Sequence, residues 1–250
     1  MTTSPSARTT QLPRHGVARV ISKLGVASRT QAAQWVRQGR VRVNGLVIRD
    51  AEFPVRQGVD RIEIDGQKPA PAERLALMLN KPRGLVTSTN DERGRDTVYS
   101  CFAGAALPWL APVGRLDKAS EGLLLFSNAP EWAARITDPT TGPDKTYHVQ
   151  IDRLPDAALL GTLALGVTVA AGHLRVKSVH ILRTGRKHAW LEIVLDEGRN
   201  RQIRRLLAAS GVSVLRIVRV AVGPVSLGDL PQRQWRMLTE QEITSLCAKK

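Results

Sequence analysis

The segment VRVNGLVI, residues 41–48, restricts the fold more than any other part of the sequence. Valines alternate with other residues around Asn44-Gly45, and an Asn-Gly pair suits a two-residue turn in which both central residues have positive φ. This pattern predicts a β-hairpin. A second alternation of apolar and polar residues at 61–66 predicts a further strand.

Two short helices are predicted ahead of the hairpin. The first ends at Gly25 and has apolar residues at helical spacing, namely Val17, Val20, Ile21 and Leu24. Ser28 and Gln31 have the spacing of a capping box that opens the second helix, and Gly39 can close it. Together with the strands, these helices predict a small N-terminal domain over residues 14–68.

The chain is expected to divide after this domain. Residues 69–74 begin with alternating Pro and Ala and favour an extended linker, while the Ser-, Thr- and Pro-rich residues 1–13 favour a disordered tail. The second domain, residues 75–245, mixes strand-like and helix-like runs that do not follow strict βαβ order. We therefore predict an α+β fold in which a mixed, largely antiparallel sheet is flanked by helices.

The composition indicates a polyanionic partner. The chain has 37 Lys and Arg residues against 22 Asp and Glu residues, a net charge of +15, and an isoelectric point of about 10.9. Such a charge favours nucleic acid or an acidic membrane surface. Two cysteines cannot form a disulfide framework, and no signal peptide or spanning run is recognisable, so we expect a cytoplasmic protein with no membrane partner.

Part of this charge is concentrated in the N-terminal domain. No acid occurs between residues 19 and 42, and six cations are candidates for contacting phosphates, namely Arg19, Lys23, Arg29, Arg37, Arg40 and Arg42. The alternative is a charged surface that meets only solvent.

A single acid occupies an unusual position in GRLDKASEGLLLFSN, residues 114–128. Asp117 lies between a strand end and the apolar run 123–126, with Arg115 and Lys118 beside it. It could be a helix cap or a surface ion pair. A loop between two core strands could equally present it to a ligand, and an acid buried there needs a cation or hydrogen-bond donors to stay ionised.

Two further groups are candidates for the same site. From residue 200 a helix is predicted whose apolar stripe lies opposite three arginines, Arg201, Arg204 and Arg205. That face could meet solvent, phosphates, or a buried carboxylate. Tyr147, one of two tyrosines, could pack across strands or stack on a nucleobase.

Several motifs carry a resemblance to known families. GVASR at 25–29 and VRVNG at 41–45 resemble the S4 RNA-binding domain. Four further motifs lie in the second domain, namely LNKPRG at 79–84, GRLDKASEGLLL at 114–125, KTYHV at 145–149 and EGRNRQIRR at 197–205. They resemble motifs of the RsuA/RluB/RluE/RluF family of bacterial ribosomal RNA pseudouridine synthases.

The resemblance implies roles for individual residues. Asp117 would be the nucleophile that attacks a flipped uridine, Arg204 the basic residue that pairs with it, and Tyr147 the ring that stacks on the uracil. The surrounding cations would hold the RNA backbone, and they are Lys81, Arg83, Arg115, Arg199, Arg201 and Arg205. No cofactor or metal is expected. We expect a monomer that acts on ribosomal RNA or on a ribosomal assembly intermediate, with 23S RNA favoured and 16S RNA as the alternative.

Two other classes of function compete with this one. A non-catalytic RNA-binding protein could carry the same charge, although all three candidate catalytic residues are present in the sequence. A nucleic-acid hydrolase would need paired carboxylates and a metal site, but Glu121 is the only acid close to Asp117 in its loop and no metal-ligand spacing is recognisable.

Overall fold

A computed structural model describes residues 13–70, 73–89, 91–169 and 172–248. It divides into two units, Met1–Arg74 and Leu75–Lys250. Residues 1–12 of the expected tail and residues 71–72 of the expected linker lie outside the described residues. No helix in the described ranges is long and apolar enough to cross a membrane.

The first unit contains two helices and five short strands. They are β1 (Arg14–Gly16), α1 (Val17–Lys23), α2 (Arg29–Arg37), β2 (Val41–Val43), β3 (Leu46–Ile48), β4 (Pro54–Arg56) and β5 (Ile62–Ile64). β1 pairs with β4, and β2 lies between β3 and β5 in a three-stranded sheet. The helices pack on these strands around a buried apolar cluster that includes Ile21, Val36 and Val41.

Local signals in the sequence account for this unit. Asn44 and Gly45 have φ values of 50° and 84°, as the tight turn between β2 and β3 requires. The Ser28 side chain accepts a hydrogen bond from the Gln31 amide at 3.0 Å and caps α2. The predicted hairpin, third strand and two helices are therefore confirmed. The β1–β4 pair was not predicted.

The second unit is built on a nine-stranded sheet. Its elements are β6 (Ala76–Lys81), a 3₁₀ helix (Val98–Phe102), β7 (Ala111–Val113), β8 (Glu121–Ser127), α3 (Pro130–Thr137), β9 (Lys145–Ile151), α4 (Ala157–Leu165), β10 (Val167–Val169), β11 (Gly172–Leu174), β12 (Ser178–Thr184), β13 (Ala189–Leu195), α5 (Gln202–Ala209), β14 (Val214–Val222), β15 (Val225–Ser226), β16 (Trp235–Met237) and α6 (Glu240–Ser245).

The main path of this sheet runs β12-β13-β9-β14-β8-β6-β16. β7 adds to β8, β15 adds to β14, and β10 and β11 form a separate two-stranded sheet. Among the paired strands in the described ranges, β8 and β14 are parallel and the other pairs are antiparallel. The predicted α+β fold with a mixed, largely antiparallel sheet is confirmed.

Apolar clusters pack on both faces of the sheet. On one face, α4 and α5 pack over β13, β9 and β14. On the other, α3 and α6 pack on Leu123 and Leu125 of β8. Leu124 and Phe126 alternate with those leucines and join a third cluster formed with the segment between β6 and β8. Tyr147 packs against both the first and the third cluster, so these two lie side by side on one face.

Candidate active site

Asp117 lies on the loop that joins β7 to β8 and is partly exposed. Its neighbour Leu116 is buried in the third cluster and anchors the loop to the sheet. The Thr87 hydroxyl donates to the Leu116 carbonyl at 2.8 Å, and the Ser120 amide donates to the Asp117 carbonyl at 3.0 Å. These contacts fix the backbone of the loop while the carboxylate remains accessible.

The ammonium group of Lys81 lies beneath this loop. It donates to the carbonyl oxygens of Ser120 at 2.8 Å, Pro82 at 3.1 Å and Asp117 at 3.2 Å. Lys81 is fully buried, and burial lowers its pKa to about 8 against the opposing influence of Glu121, Cys101 and Asp117. The prediction that Lys81 contacts RNA is therefore wrong, because its ammonium points into the protein and holds the loop.

Arg204 approaches the loop from α5. Its guanidinium donates to the Ala119 carbonyl at 3.1 Å and to the Val214 carbonyl at 3.3 Å. Burial lowers its pKa, as do Arg201 and Arg83, whereas Asp117 raises it. Asp117 therefore lies close enough to contribute to the electrostatic environment of Arg204. Within the described ranges, however, they form no ion pair, and Arg204 binds the loop backbone two residues beyond the acid.

Tyr147 lies on β9, which is separated from β8 by one strand, β14. It is in register with Arg219 of β14, which in turn is in register with Gly122 of β8. Gly122 has a φ of 98°, and a Cβ there would lie 2.3 Å from the Arg219 carbonyl oxygen. Only glycine allows this close approach between β8 and β14.

Comparisons with known proteins show which families the chain is related to. Residues 76–209 match the RNA pseudouridylate synthase family, and residues 17–60 match the S4 domain. The chain is 34% identical over 231 residues to an uncharacterised RNA pseudouridine synthase of Aquifex aeolicus, with 92% of each chain covered. It is 33% identical to the ribosomal large subunit pseudouridine synthase B of Bacillus subtilis, with 92% of this chain and 94% of the relative covered.

A solved structure gives the same result. The crystal structure of a pseudouridylate synthase superposes with a TM-score of 0.66 at 28% identity, over 94% of this chain and 99% of the other. The chain belongs to the RNA pseudouridine synthase family. The resemblance to the RsuA/RluB/RluE/RluF group is confirmed, and the synthase has an N-terminal S4 domain followed by the catalytic fold.

Most of the cations predicted around the active site of the synthase are at the surface. Arg83, Arg115, Arg199 and Arg201 are exposed, and Arg205 is partly exposed. Arg201 differs from its prediction, because α5 begins only at Gln202 and Arg201 precedes it with a left-handed φ of 49°. It therefore does not share a helix face with Arg204. Arg199 donates to Glu197 at 2.9 Å and to the His173 carbonyl at 2.8 Å.

The six cations of the S4 domain differ in their surroundings. Lys23 is partly buried and the five arginines are exposed. Folding brings acids from later in the sequence to two of them, since Arg29 lies 2.8 Å from Glu52 and Arg40 lies 2.5 Å from Asp65. Arg40 also lies over the Trp35 ring. For the described residues, Arg19, Arg37 and Arg42 have no such partner and remain the better candidates for phosphate contacts.

Gln202 is a buried polar residue whose role was not predicted from the sequence. Its side chain accepts from the Arg199 amide at 3.1 Å and donates to the Arg175 carbonyl at 2.8 Å and to Glu197 at 2.7 Å. Gln202 therefore holds the loop that leads into α5, the helix on which Arg204 lies. Its place immediately before Ile203 in the EGRNRQIRR motif was the available signal.

Glu121 is a buried acid with a structural role. Arg216 donates to both of its carboxylate oxygens, at 2.9 and 2.8 Å, and Gln232 donates at 2.9 Å. An acid held in this way is not available as the second carboxylate of a hydrolase. No group of three metal-binding side chains occurs in the part of the chain that the structure describes.

Proposed function

We propose that the synthase isomerises a specific uridine of ribosomal RNA to pseudouridine, with Asp117 as the nucleophile. The observation that carries this proposal is the partly exposed carboxylate on a loop whose backbone is held by Lys81 and Arg204. Two cations bound to the loop carbonyls leave the carboxylate oxygens free to react. Asp229, by comparison, is an exposed acid in an ordinary loop.

The reaction is an isomerisation within one nucleotide. Attack by the Asp117 carboxylate on the nucleoside leads to cleavage of the N1–C1′ glycosidic bond. The detached uracil turns and C5 bonds to C1′, the bond between Asp117 and the nucleoside breaks and returns the free carboxylate, C5 loses its proton and N1 gains one. Atoms and electrons balance without an oxidant or reductant. Tyr147, beside the loop, would stack on the uracil, and Arg204 would bias the electrostatic environment of Asp117.

The substrate we propose is 23S RNA, either free or in a ribosomal assembly intermediate, bound by a monomer in the cytoplasm. Two features support a structured RNA. The net charge of +15 favours a phosphate backbone, and the S4 domain presents Arg19, Arg37 and Arg42 to solvent. The Bacillus subtilis relative, named for the large ribosomal subunit, favours 23S over 16S RNA.

Tritium release from transcripts labelled at uridine C5 tests this proposal. The wild-type protein should release tritium from 23S RNA and not from 16S RNA, and sequencing of the product should locate the pseudouridine. Asp117→Asn should reduce release to background with RNA affinity retained, and Asp229→Asn should behave like the wild type. Turnover by Asp117→Asn would refute the nucleophile, and release from 16S RNA alone would refute the substrate.

A further inference from the structure

The sheet of the catalytic unit has a basic surface on the face opposite to α4 and α5. Trp190, Gln150 and Arg216 are register partners on β13, β9 and β14. The core residues Leu191, Val149 and Ile217 alternate with them on the same strands and are buried under α4 and α5. Because side chains alternate along a strand, the first set faces away from the core.

This surface continues along the hairpin at the edge of the sheet. Arg183 lies opposite Trp190 on β12, and the turn between β12 and β13 adds Arg186, Lys187 and His188. We call Arg183, Arg186, Lys187 and Trp190 the outer basic surface. Tyr147, two residues before Val149 on the same strand, lies on the other face. The outer basic surface is thus separated from Asp117 and Arg204 by the sheet.

The outer basic surface has the chemistry of an anion site. A depression of about 550 Å³ is lined by Gln150, Arg183, Thr184, Gly185, Arg186, Lys187, His188 and Trp190, with no carboxylate among them. Arg183, Arg186 and Lys187 are exposed and, within the described ranges, form no ion pair. The guanidinium groups of Arg183 and Arg216 lie 5.3 and 5.9 Å from the Trp190 ring centre.

An edge strand can carry cations simply to prevent pairing with another sheet. That explanation accounts for isolated charges, but not for a concave surface lined by donors on the turn and on β9. The nearby acid Glu121 is also already engaged, since Arg216 donates to both of its carboxylate oxygens. The unpaired cations are therefore left to attract an external polyanion.

We propose that the outer basic surface binds the phosphate backbone of the RNA substrate at a point remote from the target uridine. This rests on the proposed RNA substrate. A long folded RNA could reach around the β12 edge and contact both faces of the sheet, whereas a short stem-loop could occupy only the catalytic face. The outer basic surface would then contribute affinity for long RNA and leave the chemical step unchanged.

The test compares two double variants. The turn variant is Arg186→Gln/Lys187→Gln, and the control is Arg135→Gln/Arg153→Gln. The control removes the same charge from two exposed positions outside the outer basic surface. Binding of each protein to a 23S transcript is measured over a range of salt concentrations. If both turn cations contact phosphates, the slope of log affinity against log salt should fall by about 1.4–1.8, from roughly 0.7–0.9 per contact.

The control should change the slope by less than half of the amount expected for one phosphate contact. Equal changes of slope in both double variants, or no change of slope in the turn variant, would overturn the proposal. Thermal unfolding checks that each variant is folded. The outcome does not depend on catalysis. Tritium release at saturating RNA should be unchanged in the turn variant, whereas absence of release by the wild type would count against the proposed function instead.

Discussion

Raising the pH through the pKa of Lys81 should have opposite effects on activity and on stability, and Lys81→Met should abolish both effects. The ammonium has three protons and donates to three carbonyls, those of Asp117 and Ser120 on the loop and that of Pro82 after β6. Deprotonation leaves two donors and places a lone pair against a carbonyl. In the wild type, kcat should therefore fall as the pH rises through about 8, the pKa that burial gives to Lys81.

Stability should change in the other direction. The ordinary pKa of 10.5 applies to Lys81 in the unfolded chain, and about 8 applies in the folded protein. Between these values the unfolded chain holds a proton that the folded protein has lost, so the free energy of unfolding should increase with pH in this window. Across this window the free energy of unfolding should rise by roughly 3 kcal/mol. Below pH 8 and above pH 10.5 the contribution of Lys81 to this free energy should be constant.

Urea unfolding and tritium release from pH 7 to pH 10.5 measure the two effects. Lys81→Met should lack both pH-dependent changes and should have a lower kcat throughout, because the loop carbonyls have lost their donor. Lys118→Met is the matched control, since Lys118 is an exposed lysine on the same loop, and it should retain both changes. Identical pH profiles of stability in the wild type and Lys81→Met would refute this reasoning.

Three further predictions follow from individual contacts. Arg204→Lys should lower the free energy of unfolding by about 1–3 kcal/mol and reduce kcat, because one ammonium replaces a guanidinium that bridges two carbonyls; denaturant unfolding and tritium release measure this. Gly122→Ala should reduce the melting temperature well beyond Gly228→Ala, since both have positive φ but only Gly122 would clash with a neighbouring strand. Arg37→Gln should lower the salt dependence of RNA binding more than Arg40→Gln, whose arginine is already paired with an acid.

Local features of the fold could be read from the sequence, whereas partnerships across the chain could not. The hairpin at Asn44-Gly45 follows from backbone preferences of those two residues. The burial of Lys81 depends on which face of β6 the loop covers, and a lysine next to a proline and an arginine gives no sign of it. The ion pair of Arg40 with Asp65 likewise needs two segments to meet after folding.

The candidate site shows the same division. Asp117, Tyr147 and Arg204 were recognisable because each sits in a motif, and the structure brings their segments to one side of the sheet. Asp117 and Arg204 form no ion pair within the described ranges. Whether two such side chains meet depends on the distance between them after folding, which helical periodicity does not specify. The left-handed backbone conformation of Arg201 was also not predicted, because a periodic pattern indicates the apolar stripe of a helix more clearly than the residue at which the helix begins.

The order of strands in the sheet determines when a growing chain can become active. Arg219 donates to the Leu123 carbonyl from 96 positions away, and Asn80 donates to the Leu230 carbonyl across 150 positions. The strands that support the loop carrying Asp117 therefore cannot assemble until almost the whole polypeptide has left the ribosome. The S4 domain is complete much earlier. A nascent chain should thus be able to hold RNA before it can modify it, and activity should emerge only when β16 docks on β6.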